Sequence, residues 1–144
     1  MTGRSQDELR ASYLATEVFV ELDGELLDAP EAARRLGTPL FVLTAHNPAS
    51  VILDDAVNDA RNAVLLDQIE AAGLTVYPAI GKSPDGSWFE PGFALSGADL
   101  ATAIDLGREH GQNAIFEVLP DRLVVHACDG SYRLERPAGS GQPS

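Results

Sequence analysis

The sequence predicts an α/β (α+β) fold: a single mixed β-sheet of five to six strands flanked by helices. Three observations carry that prediction. The run Leu40-Phe41-Val42-Leu43 is apolar without alternation, as in a strand covered on both faces. Helix-capping residues and closing glycines recur between strand-like segments, so helices and strands interleave along the chain. The connections include both short turns and helical crossovers, which favours a sheet with parallel as well as antiparallel pairs. Residues 5–135 are expected to form one domain. The Gly-, Pro- and Ser-rich tail, 136–144, is expected to be disordered.

Each element has its own signal. Ser5 and Glu8 stand at capping-box spacing and open a helix that runs to about Ala15. Thr16 to Leu22 alternates, with Val18, Val20 and Leu22 on one face and Glu17 and Glu21 on the other, and Asp23-Gly24 turns the chain. Asp28, Pro30 and Glu31 open a short helix that Gly37 closes. After the apolar strand, the longest helix runs from Asp54 or Asp55 to Ala72, with Val57, Ala60, Val64 and the Leu65–Leu66 pair read as its apolar side. Leu74 to Ile80 reads as a strand, and its Pro78 marks an edge or a bulge. Trp88 to Leu95 reads as the next strand. Ser96 and Asp99 cap a helix that stops at Gly111, and Ala114 to Leu119 with Leu123 to Ala127 forms a hairpin through Pro120-Asp121.

Composition narrows the function classes. A chain of 144 residues with 44% hydrophobic residues suits one core. Its formal charge of −12 would repel a phosphate backbone, so nucleic acid is not expected as a partner. No stretch approaches the roughly 20 apolar residues of a membrane span. The amino end lacks the apolar core of a signal peptide. Cys128 is the only cysteine, so no internal disulfide can form; a cytoplasmic location is the expectation. No metal and no cofactor are expected either. His46, His110 and His126 lie far apart without ligand-spaced neighbours, and Gly81-Lys82-Ser83 fails as a phosphate loop because Val76 stands where its first glycine belongs and Pro84 follows.

Several polar positions ask for more than a fold. Thr44, His46, Asn47 and Ser50 leave the end of the buried strand, where ligands sit in open α/β sheets, although good turn chemistry alone would choose such residues. Asn58, Arg61 and Asn62 share one helix face, and an arginine between two amides suits a carboxylate or phosphate; a plain solvated face is the alternative. Glu90 shares a strand face with Trp88, as a poised acid or as an ordinary pair at a sheet rim. Gln112 and Asn113 follow Gly111, where amides also serve to satisfy exposed backbone.

Four stretches together resemble the domain of unknown function 3293 family, a bacterial group: Thr44-Ala-x-Asn47-Pro48-x-Ser50, Asn58 with Asn62, Trp88-x-Glu90, and Gly111-Gln112-x-Ala114-Ile115. The resemblance spans about Leu40 to Val118 and implies no activity. The chain departs from the pattern at three places. The family carries a tryptophan where His46 stands, a serine where Gly92 stands and an aromatic where His110 stands, so no role is carried over to positions 46 or 92.

Two function classes follow. The first is a binding module whose polar pocket, built from Thr44, Asn47, Ser50, Asn58, Arg61, Asn62, Glu90 and Gln112, holds a small anionic or polar ligand or a protein partner. The second is a small-molecule enzyme, a hydrolase or transferase, with Glu90 or His46 as acid–base and Arg61 with Asn47 stabilising charge. The binding reading leads, because the sequence shows no nucleophile–base pair and no metal set; no catalytic residue is assigned. Asn47, Ser50, Asn58, Arg61 and Glu90 are expected to line one cleft.

Overall fold

The structure, a computed structural model, describes residues 6–46, 51–87 and 89–138. The elements run α1 (Gln6–Ala15), β1 (Glu17–Leu22), β2 (Glu25–Asp28), α2 (Ala29–Leu36), β3 (Leu40–Leu43), α3 (Asp55–Ala71), β4 (Thr75–Lys82), β5 (Phe89–Ser96), α4 (Leu100–Glu109), β6 (Ala114–Leu119), β7 (Arg122–Ala127) and β8 (Arg133–Pro137). The strands form one sheet in the order β2-β1-β4-β5-β3-β6-β7-β8, curled into a half-barrel.

Two expectations are corrected here. The sheet has eight strands rather than five to six, and every pairing is antiparallel rather than mixed. The two unforeseen strands, β2 and β8, are its outer edges. Edge strands need no apolar alternation, so Glu25–Asp28 and the charged Arg133–Pro137 carry little strand signal. Arg136 and Pro137, read from sequence as the start of the tail, close β8. Parallel pairs are absent because each long helical crossover skips a place. The crossover through α3 lands β4 two positions from β3, and β5 returns between them; the one through α4 lands β6 on the far side of β3 from β5.

β3 occupies the interior position that its apolar run demands, hydrogen-bonded to β5 and β6 with all four residues buried. Alternation sends Leu40 and Val42 into one core, with β1, α2 and the inner side of α1, and Phe41 and Leu43 into a second, with Leu65 and Ile69 of α3 and Ala103 of α4. Pro78 sits just beyond the last β1 partner of β4, Ala79, so its missing N–H interrupts only the end of that ladder.

α3 departs from its sequence reading. Its buried stripe is Asn58, Asn62, Leu65 and Ile69, whereas Val57, Ala60 and Val64 face solvent. The amides displace the valines because their groups bond backbone: Asn62 beside the end of β3 and on β5, Asn58 in the segment that enters the helix. No described helix is long and apolar enough to cross a membrane.

Candidate ligand-binding site

The polar residues flagged in the sequence divide between the two faces of the sheet. Asn58, Arg61 and Asn62 belong to α3 on one face. Thr44, Glu90 and Gln112, from three separate segments, line a cavity of about 50 Å³ that also touches Tyr13 and Thr16 beside α1. Asn47, Ser50 and Trp88 lie outside the described residues.

The α3 group acts on backbone. Asn62 Oδ1 accepts from the Ala45 N–H at 2.8 Å, and its Nδ2 donates to the Pro91 carbonyl at 2.9 Å. Arg61 donates from Nε to the Ala45 carbonyl and from Nη2 to the His110 carbonyl, both at 2.8 Å. Asn58 Nδ2 donates to the Leu53 carbonyl, drawing in the chain that enters the helix. Asn62 and Asn58 are buried, and bonding their amides inward avoids the cost of orphaned polar groups.

Three of the clamped backbone groups lie one or two residues from a side chain of the cavity. Ala45 is next to Thr44, Pro91 is next to Glu90, and His110 is two residues before Gln112. Thr44 joins the same network: its hydroxyl donates to the Pro91 carbonyl at 2.7 Å and accepts from the His46 N–H at 3.0 Å. Gln112 donates through Nε2 to the His46 carbonyl (3.0 Å) and to the His110 carbonyl (3.3 Å). The α3 residues therefore act as positioning residues for the cavity across the sheet.

Small side chains make the space. Ala79 on β4 pairs directly with Gly92 on β5, and Gly81 and Ala114 extend the same lining, with Val42 and Phe116 as its larger walls. Gly92 has a second reason to be glycine. A Cβ there would lie 2.4 Å from the Leu43 carbonyl oxygen, a backbone atom, so β3 and β5 touch too closely for a side chain at this position. The run of alanine and glycine on one face of three strands is the signal that sequence reading missed.

The chemistry of the lining is one-sided. Glu90 brings a carboxylate. The Nε2 of Gln112 is already bonded to two carbonyls, which fixes the amide's orientation and leaves its oxygen as the group it offers. No cationic side chain lines the cavity among the described residues. Lys82, close by on β4, holds its ammonium over the Phe19 ring, 5.2 Å from the centroid.

The histidines stand apart from the cavity. His46 is 8% exposed, and its Nε2 is a buried atom with no hydrogen-bond partner among the described residues. Burial pushes its pKa below the ordinary histidine value, against the pull of Asp59 and Asp55, which keeps it neutral. His110 is lowered by burial too, with Glu109 opposing and Arg61 assisting. Its Nε2 bonds Gln68 Oε1, so the proton sits on Nε2. His126 pairs instead with Glu117 at 2.8 Å on the sheet, and among the described residues no three His, Cys, Asp or Glu side chains gather as a metal-holding group.

The sequence matches the model of a family described as Protein of unknown function (DUF3293) over residues 43–115, half of the chain. The chain belongs to the DUF3293 family. Comparison with curated proteins and with solved structures finds no match. The DUF3293 segment runs from the last residue of β3 into β6, and so contains α3 with its whole clamp and Thr44, Glu90 and Gln112 of the cavity.

Proposed function

We propose that this DUF3293 protein is a binding module that takes a small ligand bearing N–H donors, an ammonium or amide group, into the cavity between α1 and the sheet. The observation that carries the reading is the convergence of Thr44, Glu90 and Gln112 on one small, mostly apolar cavity that holds a carboxylate and an amide oxygen and no cationic side chain among the described residues. A carboxylate accepts several hydrogen bonds at once, so Glu90 can serve a ligand alongside protein partners. An anionic ligand fits less well, because Arg61, the cation it would need, already holds two backbone carbonyls. The size of the cavity suits a group of a few non-hydrogen atoms, whether a whole small molecule or the tip of a larger one. A cytoplasmic location and the absence of nucleic-acid partners accord with the single cysteine and the charge of −12.

A catalytic reading draws on His46, whose neutral ring presents an Nε2 without a partner among the described residues. His46 is not among the residues lining the cavity with Glu90, and that separation favours binding over acid–base chemistry. Thermal-shift titration with small primary amines, amides and carboxylates tests the proposal. Amines or amides should raise the melting temperature of the wild type and not of Glu90→Gln. A response confined to carboxylates would reject the donor-ligand reading, and one that survives Glu90→Gln would place the ligand elsewhere.

A further inference from the structure

Six large hydrophobic side chains are exposed among the described residues, and four of them fall within residues 51–64: Val51 (58%), Ile52 (87%), Val57 (46%) and Val64 (52%). The last two stand on the outer face of α3. Val57, Ala60, Val64, Asp67 and Ala71 follow one another at alternating steps of three and four, the spacing of a helix seam that packs against another helix. All five are exposed. The buried stripe through Asn58, Asn62, Leu65 and Ile69 lies on a different side, so the core leaves this seam unused.

The charges around the seam have one sign. Asp54, Asp55, Asp59, Asp67 and Glu70 are exposed, and Arg61, the only basic residue of α3, is tied inward to the Ala45 and His110 carbonyls. We propose that the outer face of α3 docks a basic amphipathic helix, with apolar residues filling the Val57–Val64 seam and lysines or arginines meeting Asp67 and Glu70. The charge pattern selects this occupant. In a second copy of the chain, acid would face acid, with Asp67 inside the seam, and an anionic membrane would be repelled by the same residues. The inference is independent of the cavity, which lies on the opposite face of the sheet.

The test uses the full chain and a fluorescent peptide of about 18 residues, as long as α3, with leucines at seam positions and lysines beside them. Its comparators are the same residues scrambled and a version with glutamates for lysines. The leucine–lysine helix should bind with a dissociation constant in the range of about 1–100 μM. Val57→Gln with Val64→Gln should weaken it at least about tenfold, as should Asp67→Lys with Glu70→Lys, while Glu90→Gln leaves it unchanged. These positions are exposed, so the variants should keep the wild-type melting curve; if the double valine variant does not, Val64→Gln alone should still show the loss. Equal binding of the scrambled peptide, retention in the valine variants, binding of the glutamate version, or no binding at about 100 μM would each overturn the proposal. Sedimentation showing a wild-type dimer that the valine variants dissolve would overturn it too, by making the occupant a second copy.

Discussion

Replacing Arg61 by alanine removes the two hydrogen bonds that fasten the Ala45 and His110 carbonyls to α3. Hydrogen bonds from a charged donor contribute about 1.5–3 kcal/mol each. Arg61 is only partly buried, and water can reach part of what it leaves behind, so the lower end applies and the expected loss is about 2–3 kcal/mol. For a chain of 144 residues this corresponds to a fall in melting temperature of about 6–9 °C. Arg61→Lys should recover less than half, since one ammonium cannot span two carbonyls as the guanidinium fork does. Urea unfolding followed by circular dichroism gives the free energy, and an unchanged m value would show that only stability moved. A loss under about 0.5 kcal/mol for Arg61→Ala would refute the claim that this arginine holds the end of β3. It would return Arg61 to the role of a ligand's counter-ion.

Three further outcomes follow from the same structure. Gly107→Ala should destabilise by about 1–3 kcal/mol in thermal or urea melts, because its Cβ would fall 2.7 Å from Ile115 Cγ2 and 2.9 Å from Cys128 Sγ, where α4 packs on the sheet. Cys128 should resist iodoacetamide in the native protein at neutral pH and react once unfolded, since burial pushes its thiol up to about 11, and mass spectrometry reads this directly. Stability should fall on acidification below the ordinary histidine value of 6.5, because the unfolded chain takes up protons there that buried His46 and His110 resist. Their contribution is whole above that value and is lost toward their lower folded values, with a slope of up to about 1.4 kcal/mol per pH unit for each. A flat urea-unfolding profile between about pH 7 and 5.5, or a slope that survives replacement of both histidines by glutamine, would contradict it.

Sequence legibility followed physical constraint. β3 was readable because a strand covered on both faces has no polar positions, and the start of α4 because Asp99 caps it by accepting from the Thr102 N–H. β2 and β8 escaped notice because edge strands face solvent and carry charge. α3 misled because pattern reading assigns valines inward and asparagines outward. Here Asn58 and Asn62 go inward, as the Leu53 and Pro91 carbonyls and the Ala45 N–H need partners that valine cannot supply. The candidate site was half legible. Thr44, Glu90 and Gln112 stood out as polar residues at element ends. Arg61 looked like a ligand receptor, since one sequence cannot show that the groups it would recognise belong to the chain itself. The cavity was hidden because Ala79, Gly81, Gly92 and Ala114 signal by what they lack, and only the strand register aligns them.

The central claim, a donor-seeking cavity held open from across the sheet, is tested most directly by amide NMR of the labelled protein titrated with methylammonium, acetamide and acetate. Methylammonium or acetamide should move the resonances of Thr44, Ala79, Glu90, Gly92 and Gln112 together, acetate should not, and Glu90→Gln should abolish the response. Shifts scattered over the surface, or led by acetate near Arg61, would contradict it.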